Sequence, residues 1–119
     1  MFSRLSRRRR NRGVFTEDAA PALREQLSTI VRDYHPAGFR LMAASSAEVD
    51  TRDLLPRLAL STLLLWGDAD RRSPTVVAEQ FRTAIPNAEL MIIPNAGHLS
   101  NMEQPNLFNT HVRRFCLSA

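Results

Sequence analysis

The chain reads as an α/β protein built on a parallel β-α-β unit, and three features of its sequence predict this. Leu63-Leu-Leu-Trp66 is an unbroken apolar run closed by Gly67, and Leu90-Met-Ile-Ile93 is a second, closed by Pro94. Continuous runs this short suit strands buried on both faces, as in a parallel sheet under helices. Between them, Pro74 to Ile85 has the length and pattern of a crossover helix, so the strands are expected to be parallel and joined by a right-handed connection. The third feature lies just past the end of each strand. Asp70 stands beyond the carboxyl end of the first, and His98 closes the loop Pro94-Asn-Ala-Gly-His98 beyond the second. Parallel neighbours lie about 4.8 Å apart, so the two loops can bring an acid and a histidine within hydrogen-bond reach.

A chain of 119 residues makes one modest domain, large enough for a core but small for a complete multi-strand α/β enzyme. No stretch approaches the roughly 18 consecutive apolar residues of a membrane span, so no membrane role is expected. The single Cys116 has no partner for an internal disulfide, and Cys and His show no metal-ligand spacing. No metal or other cofactor is therefore expected, and a reducing, cytoplasmic setting is the default. The net charge of +4 conceals an asymmetry, because six of the sixteen arginines fall within the first twelve residues. From Gly13 onward ten Arg stand against twelve Asp plus Glu, a net of −2. All the basic residues are Arg and none is Lys, which fits genomic base composition better than a binding requirement.

Taken in order, residues 1–14 are expected to form a disordered Arg-rich tail carrying Arg7-Arg-Arg-Arg10. A twin-arginine or secretory signal would need an apolar stretch after the arginines, and Gly13-Val-Phe-Thr-Glu-Asp18 does not supply one. The run could hold RNA or acidic lipid electrostatically. No aromatic residue is interleaved and no folded RNA-binding pattern comes after it, so nucleic acid is not the expected partner. A solvated tail, or codons read upstream of the true coding start, is the plainer reading.

Residues 15–58 are expected to be helical and cap-like, or else layer helices packed on the sheet. Thr16 to Tyr34 is the first helix, with Glu17 and Asp18 favouring its N-terminus and Leu23, Leu27, Ile30 and Val31 at helical spacing. Pro21 is tolerated only in a first turn, which allows a later start at Ala20. Ala37 to Ala47 is the second helix, and Asp53 to Leu58 a short third one interrupted by Pro56. Residues 59–119 carry the β-α-β unit and a terminal helix. Ser61 to Trp66 and Ala88 to Ile93 are the strands. The crossover helix presents Val77, Phe81, Ala84 and Ile85 to the sheet and turns Glu79, Gln80 and Arg82 to water. Glu103 to Leu117 places Leu107, Phe108, Val112, Phe115 and Cys116 on one face of the last helix, making Cys116 a buried, inert thiol.

From about Leu54 onward the chain resembles the C-terminal part of an α/β-hydrolase-fold protein. The resemblance rests on Leu-Leu-Trp66-Gly67-x-x-Asp70, Arg-Arg-Ser73-Pro74, the strand ending Ile93-Pro94, and Gly97-His98-Leu-Ser-Asn-Met-Glu103-Gln-Pro105. It covers roughly half the chain, or more if the helices from Thr16 are the family's cap. It implies two parallel strands with a crossover and a terminal helix, preceded by cap-like helices. It also implies that Asp70 is the acid and His98 the base of a Ser-His-Asp triad. Asp68 competes for the acid role, but the family pattern sets the acid three residues after the glycine, and Asp68 suits a turn cap. The bland alternative makes both aspartates turn formers and His98 an ordinary loop histidine.

The family's nucleophile sits in Gly-x-Ser-x-Gly between a strand and a helix, and none of Gly13, Gly38, Gly67 and Gly97 is spaced to flank a serine that way. Ser45 and Ser46 lie in a helical stretch, Ser73 comes after the acid loop, and Ser100 follows the histidine too closely. The expectation is a truncated hydrolase-family chain, inactive alone, that supplies only Asp70 and His98. A small ester-like substrate would bind only if the missing N-terminal half, or a separate chain bearing it, completed the site. The alternative is a non-catalytic interaction module whose basic tail binds an acidic partner such as RNA. Arg71 and Arg72 read as solvated loop charge, His35 as a turn residue or pocket wall, and His111 as a partly exposed helical position.

Overall fold

The computed structural model describes residues 13–118. Its elements run α1 (Pro21–Arg32), α2 (Pro36–Glu48), a 3-10 turn (Leu55–Arg57), β1 (Thr62–Gly67), α3 (Thr75–Ala84), β2 (Ala88–Ile93), α4 (Ser100–Glu103) and α5 (Pro105–Ser118). The Arg-rich run Arg7–Arg10 lies outside the described residues. The chain is already packed at Val14 and Phe15, each 4% exposed, so the boundary expected between 14 and 15 falls inside a buried segment.

The two apolar runs form the expected parallel pair, with Thr62 opposite Ala88 and Gly67 opposite Ile93. Hydrogen bonds extend the pair at both ends, from Thr62 N–H to the Asn87 carbonyl (2.9 Å) and from Asp68 N–H to the Ile93 carbonyl (3.0 Å). The second of these carries the register into the loops that bear Asp70 and His98. Helices α3 and α5 each contact both strands. Ala78 of α3 is fully buried and Ile85, which ends it, is 4% exposed, while Glu79, Gln80 and Arg82 face water. The Phe81 ring lies 6.1 Å from that of Trp66. Ala78 is not among the contacts that the periodicity predicts; its short side chain lets the helix approach the sheet closely.

Leu63 to Trp66 are half-buried rather than enclosed on both faces, and Ile92 is 40% exposed. The sheet of the described residues has only two strands, so each has an edge without a strand partner. Such edges are open to association with another chain.

Several boundaries shift for local reasons. The first helix begins at Pro21, not Thr16, with Pro at the first helical position where a missing N–H is harmless. Thr16 does not cap it. Helix α2 is capped by His35, whose Nδ1 accepts the Gly38 N–H at 3.3 Å. Pro56 limits the third element to one 3-10 turn. The expected terminal helix is broken at Gln104 (φ −129°, ψ 58°), because the residue before Pro105 is driven out of helical geometry. On α5, Leu107, Phe108, His111, Val112 and Phe115 are partly buried, but Cys116 is exposed, correcting the expectation of a buried thiol.

Candidate active site

Asp70 and His98 meet where the two loops leave the carboxyl edge of the sheet. Gly67 and Ile93 end their strands in register, and Asp68 then laces the loops together. Its N–H is spent on Ile93, and its Oδ1 accepts the Ala96 N–H at 3.3 Å. The Ala69 N–H adds a bond to the Ala96 carbonyl at 3.0 Å. Asp68 thus joins loop to loop, leaving Asp70 as the acid that faces the imidazole.

His98 Nδ1 lies 2.9 Å from Asp70 Oδ2. The other oxygen, Oδ1, accepts the N–H groups of Arg72 (2.9 Å) and Ser73 (3.0 Å), which fixes the carboxylate plane. The Asp70 side chain is 5% exposed and the His98 side chain 42% exposed, so a buried acid holds a ring that reaches solvent. Burial pushes the Asp70 carboxyl up, but hydrogen bonds from His98, Ser73 and Arg72, together with the His98 charge, outweigh it and hold the group below its ordinary value. An ionised carboxylate only accepts, so the proton between them sits on Nδ1. The neutral ring then carries its lone pair on Nε2, the arrangement a general base requires.

An open cleft of about 860 Å³ is lined by Thr16 to Ala20, Leu23, Asp70, Arg71, Asn95 and Glu103; it reaches the acid of the pair, and His98 is not part of its lining. Arg71 does not stand free in it, since its guanidinium pairs with Glu17 at 2.8 Å. Trp66 donates its indole N–H to the Ser73 carbonyl at 2.6 Å and so ties the acid loop back to β1. The serines singled out in the sequence do not complete a triad. Ser100 is 6% exposed at the start of α4, Ser45 and Ser46 lie exposed on α2, and Ser73 is committed to the Asp70 turn through its N–H. Among the described residues no group of three or more His, Cys, Asp or Glu could hold a metal ion, and no helix is long and apolar enough to cross a membrane.

The sequence reading missed two parts of this corner. One is the carboxylate of Glu103, which accepts the Thr16 N–H (2.8 Å), the Thr16 hydroxyl (2.6 Å) and the Gly97 N–H (2.6 Å). The other is Val14-Phe15, an isolated apolar pair after a basic run, which lies against the histidine loop. No periodicity marks a two-residue anchor, so only the tertiary structure displays it.

The family model described as alpha/beta hydrolase fold matches residues 4–105. The chain is 31% identical over 74 residues to a 2-hydroxy-6-oxononadienedioate/2-hydroxy-6-oxononatrienedioate hydrolase of a Pseudomonas species, covering 62% of this chain and 26% of that protein. It is 35% identical over 72 residues to a pimeloyl-[acyl-carrier protein] methyl ester esterase of Vibrio vulnificus, covering 60% of this chain and 27% of that one. Among solved structures, it superposes on a thermophilic esterase from Thermogutta terrifontis with a TM-score of 0.90 at 29% identity, over 97% of this chain and 44% of that one. The matched region spans about a quarter of the length of these curated relatives.

Proposed function

The chain belongs to the α/β-hydrolase-fold family, and on that premise we propose that Asp70 and His98 are the orienting acid and general base of a serine-dependent hydrolytic site acting on small ester- or amide-type bonds. The observation that carries this reading is the 2.9 Å contact between Nδ1 and Oδ2, made by an acid whose other oxygen is already held by two backbone N–H groups. In the reaction, Nε2 of His98 takes the proton of an attacking serine hydroxyl as its oxygen bonds to the substrate carbonyl carbon. Asp70 stabilises the imidazolium that results, and the same proton then passes to the departing alcohol or amine. Water repeats the sequence on the acyl-enzyme and releases the acid.

The serine and the oxyanion donors are not carried by these 119 residues, because no Gly-x-Ser-x-Gly segment is present. A segment outside this sequence, in the same polypeptide or in a second one, supplies them. The cleft beside Asp70 receives the substrate, and residues 15–58 act as a cap over it through the wall from Thr16 to Leu23.

A chimera tests the assignment. The N-terminal part of the Thermogutta terrifontis esterase, up to the point where the superposition begins, is fused to residues 13–119 of this chain, and hydrolysis of p-nitrophenyl acetate is monitored. The expected result is turnover by the chimera, none by the chain alone, and loss of turnover by a factor of about 10⁶ in His98→Ala. Turnover that persists in His98→Ala would overturn the assignment.

A further inference from the structure

We propose that Glu103 is a positioning residue for His98, holding the peptides around it against a strap formed by Val14 to Thr16. The inference rests on the reading of His98 as the general base. Glu103 does not touch the imidazole. Its Oε2 accepts the N–H of Gly97, the residue before His98, and its Oε1 accepts both the N–H and the hydroxyl of Thr16. On the other side of His98, the Leu99 N–H donates to the Val14 carbonyl at 3.3 Å. The residues flanking the histidine are therefore tied to the same three-residue segment, one through the Glu103 carboxylate and one directly.

The packing leaves this arrangement no slack. Val14 and Phe15 are buried, and a Cβ on Gly97 would stand 2.8 Å from the Val14 carbonyl oxygen, 3.0 Å from the Phe15 carbonyl carbon and 3.1 Å from Glu103 Oε2. Thr16 is also the first residue of the cleft wall, so one carboxylate joins the wall of the cavity to the loop that bears the base. Its chemistry is specific to a carboxylate. Three donors converge on two oxygens, and an amide in the same place must turn its NH₂ toward the Gly97 N–H or toward the Thr16 N–H, opposing donor to donor. Glu103→Gln, nearly identical in shape, therefore releases at least one side of the junction.

The experiment is nitrogen-15 NMR of the full chain, reading the His98 ring tautomer together with amide hydrogen exchange at Gly97 and Leu99. In the wild type, His98 is expected as the Nδ1–H tautomer, with Gly97 exchanging as slowly as the ladder amides of β1. In Glu103→Gln, exchange at Gly97 and Leu99 is expected to rise about tenfold or more, with a mixed His98 tautomer and unchanged exchange at Leu64 to Trp66. Glu103→Gln that keeps both the tautomer and slow Gly97 exchange overturns the positioning role while leaving the acid–base pair intact. A wild type without the Nδ1–H tautomer overturns the pair itself. Should Glu103→Gln not fold, the wild-type exchange decides: a Gly97 amide as fast as an open loop refutes the junction, and a protected one supports it.

Discussion

Gly67 is where the loops bearing Asp70 and His98 press together, and replacing it tests the whole corner. Its backbone is not left-handed, so an alanine there meets no intrinsic conformational penalty. The obstacle is space. A Cβ would lie 2.2 Å from the Ala96 carbonyl oxygen, 2.3 Å from that of Gly97 and 2.6 Å from the Ala96 carbonyl carbon, all backbone atoms in a buried segment. Relief requires the histidine loop to retreat by about 1 Å, which strains a packed core by roughly 1–3 kcal/mol. The same movement breaks the 3.0 Å bond from Ala69 to Ala96, adding about 1 kcal/mol. Gly67→Ala is thus expected to cost about 3 kcal/mol and to lower the melting temperature by about 12 °C in a domain of this size. Gly38→Ala is the internal control. That glycine lies in α2 with no atom nearer than 3.8 Å to its would-be Cβ, so the substitution should stabilise by about 0.5 kcal/mol through helix propensity alone. Thermal unfolding monitored by circular dichroism reads both. A Gly67→Ala cost below about 1 kcal/mol would refute the close approach of the loops.

The Asp70 hydrogen bonds set two further outcomes. In Asp70→Asn the amide oxygen must remain with the Arg72 and Ser73 N–H groups, leaving the NH₂ facing His98 Nδ1. The ring should therefore switch to the Nε2–H tautomer and the base should be lost, while nitrogen-15 shifts that keep the Nδ1–H form would contradict the geometry. The second concerns acid stability. Asp70 is held below its ordinary value when folded, so its contribution is complete above the unfolded pKa of about 4 and is lost as pH falls through the folded value. The melting temperature of the wild type should drop with pH in that range more steeply than that of Asp70→Asn. Asp50, lowered to about 2 by hydrogen bonds from Arg52 on the open surface, is common to both proteins and cancels in the comparison. Parallel curves would count against the buried pair.

The parallel strands, the crossover helix and the acid–histidine pairing were legible because each has a local mark. An apolar run of four residues marks a strand even where, as here, it is only half-buried, and an acid and a histidine after successive parallel strands leave the sheet on the same edge. The choice of Asp70 over Asp68 was legible only through the family spacing. In the structure Asp70 is the one that contacts His98, and Asp68 accepts the Ala96 N–H. What the sequence concealed depends on contacts distant along the chain. Thr16 has the residue type of a helix cap, yet its N–H and hydroxyl go to Glu103, 87 residues away. The break at Gln104 is readable from Pro105 but masked by the apolar positions on either side, which share one helical period. Cys116 belongs to that same period and is exposed.

The distribution of burial explains why site geometry and stability should move together in this protein. Helices α1, α2 and α5 contribute no fully buried residue, and Ile30, Tyr34, Leu41 and Met42 on or beside the first two are exposed. The buried set lies instead at the carboxyl edge of the sheet: Val14, Phe15, Gly67, Asp70, Ile93, Ala96, Gly97 and Ser100, with only Ala78 and Ile85 elsewhere among the described residues. Apolar burial and the hydrogen bonds it shelters are the main favourable terms for a small domain. The acid–histidine corner is therefore the place where this fold gains most of its local stability. A substitution that loosens the loops subtracts from the fold directly, and one on the outer faces of α1 or α2 removes little. Melting temperature then serves as a report on the geometry of the acid–histidine corner itself, and the contrast between Gly67→Ala and Gly38→Ala measures how closely the two are coupled.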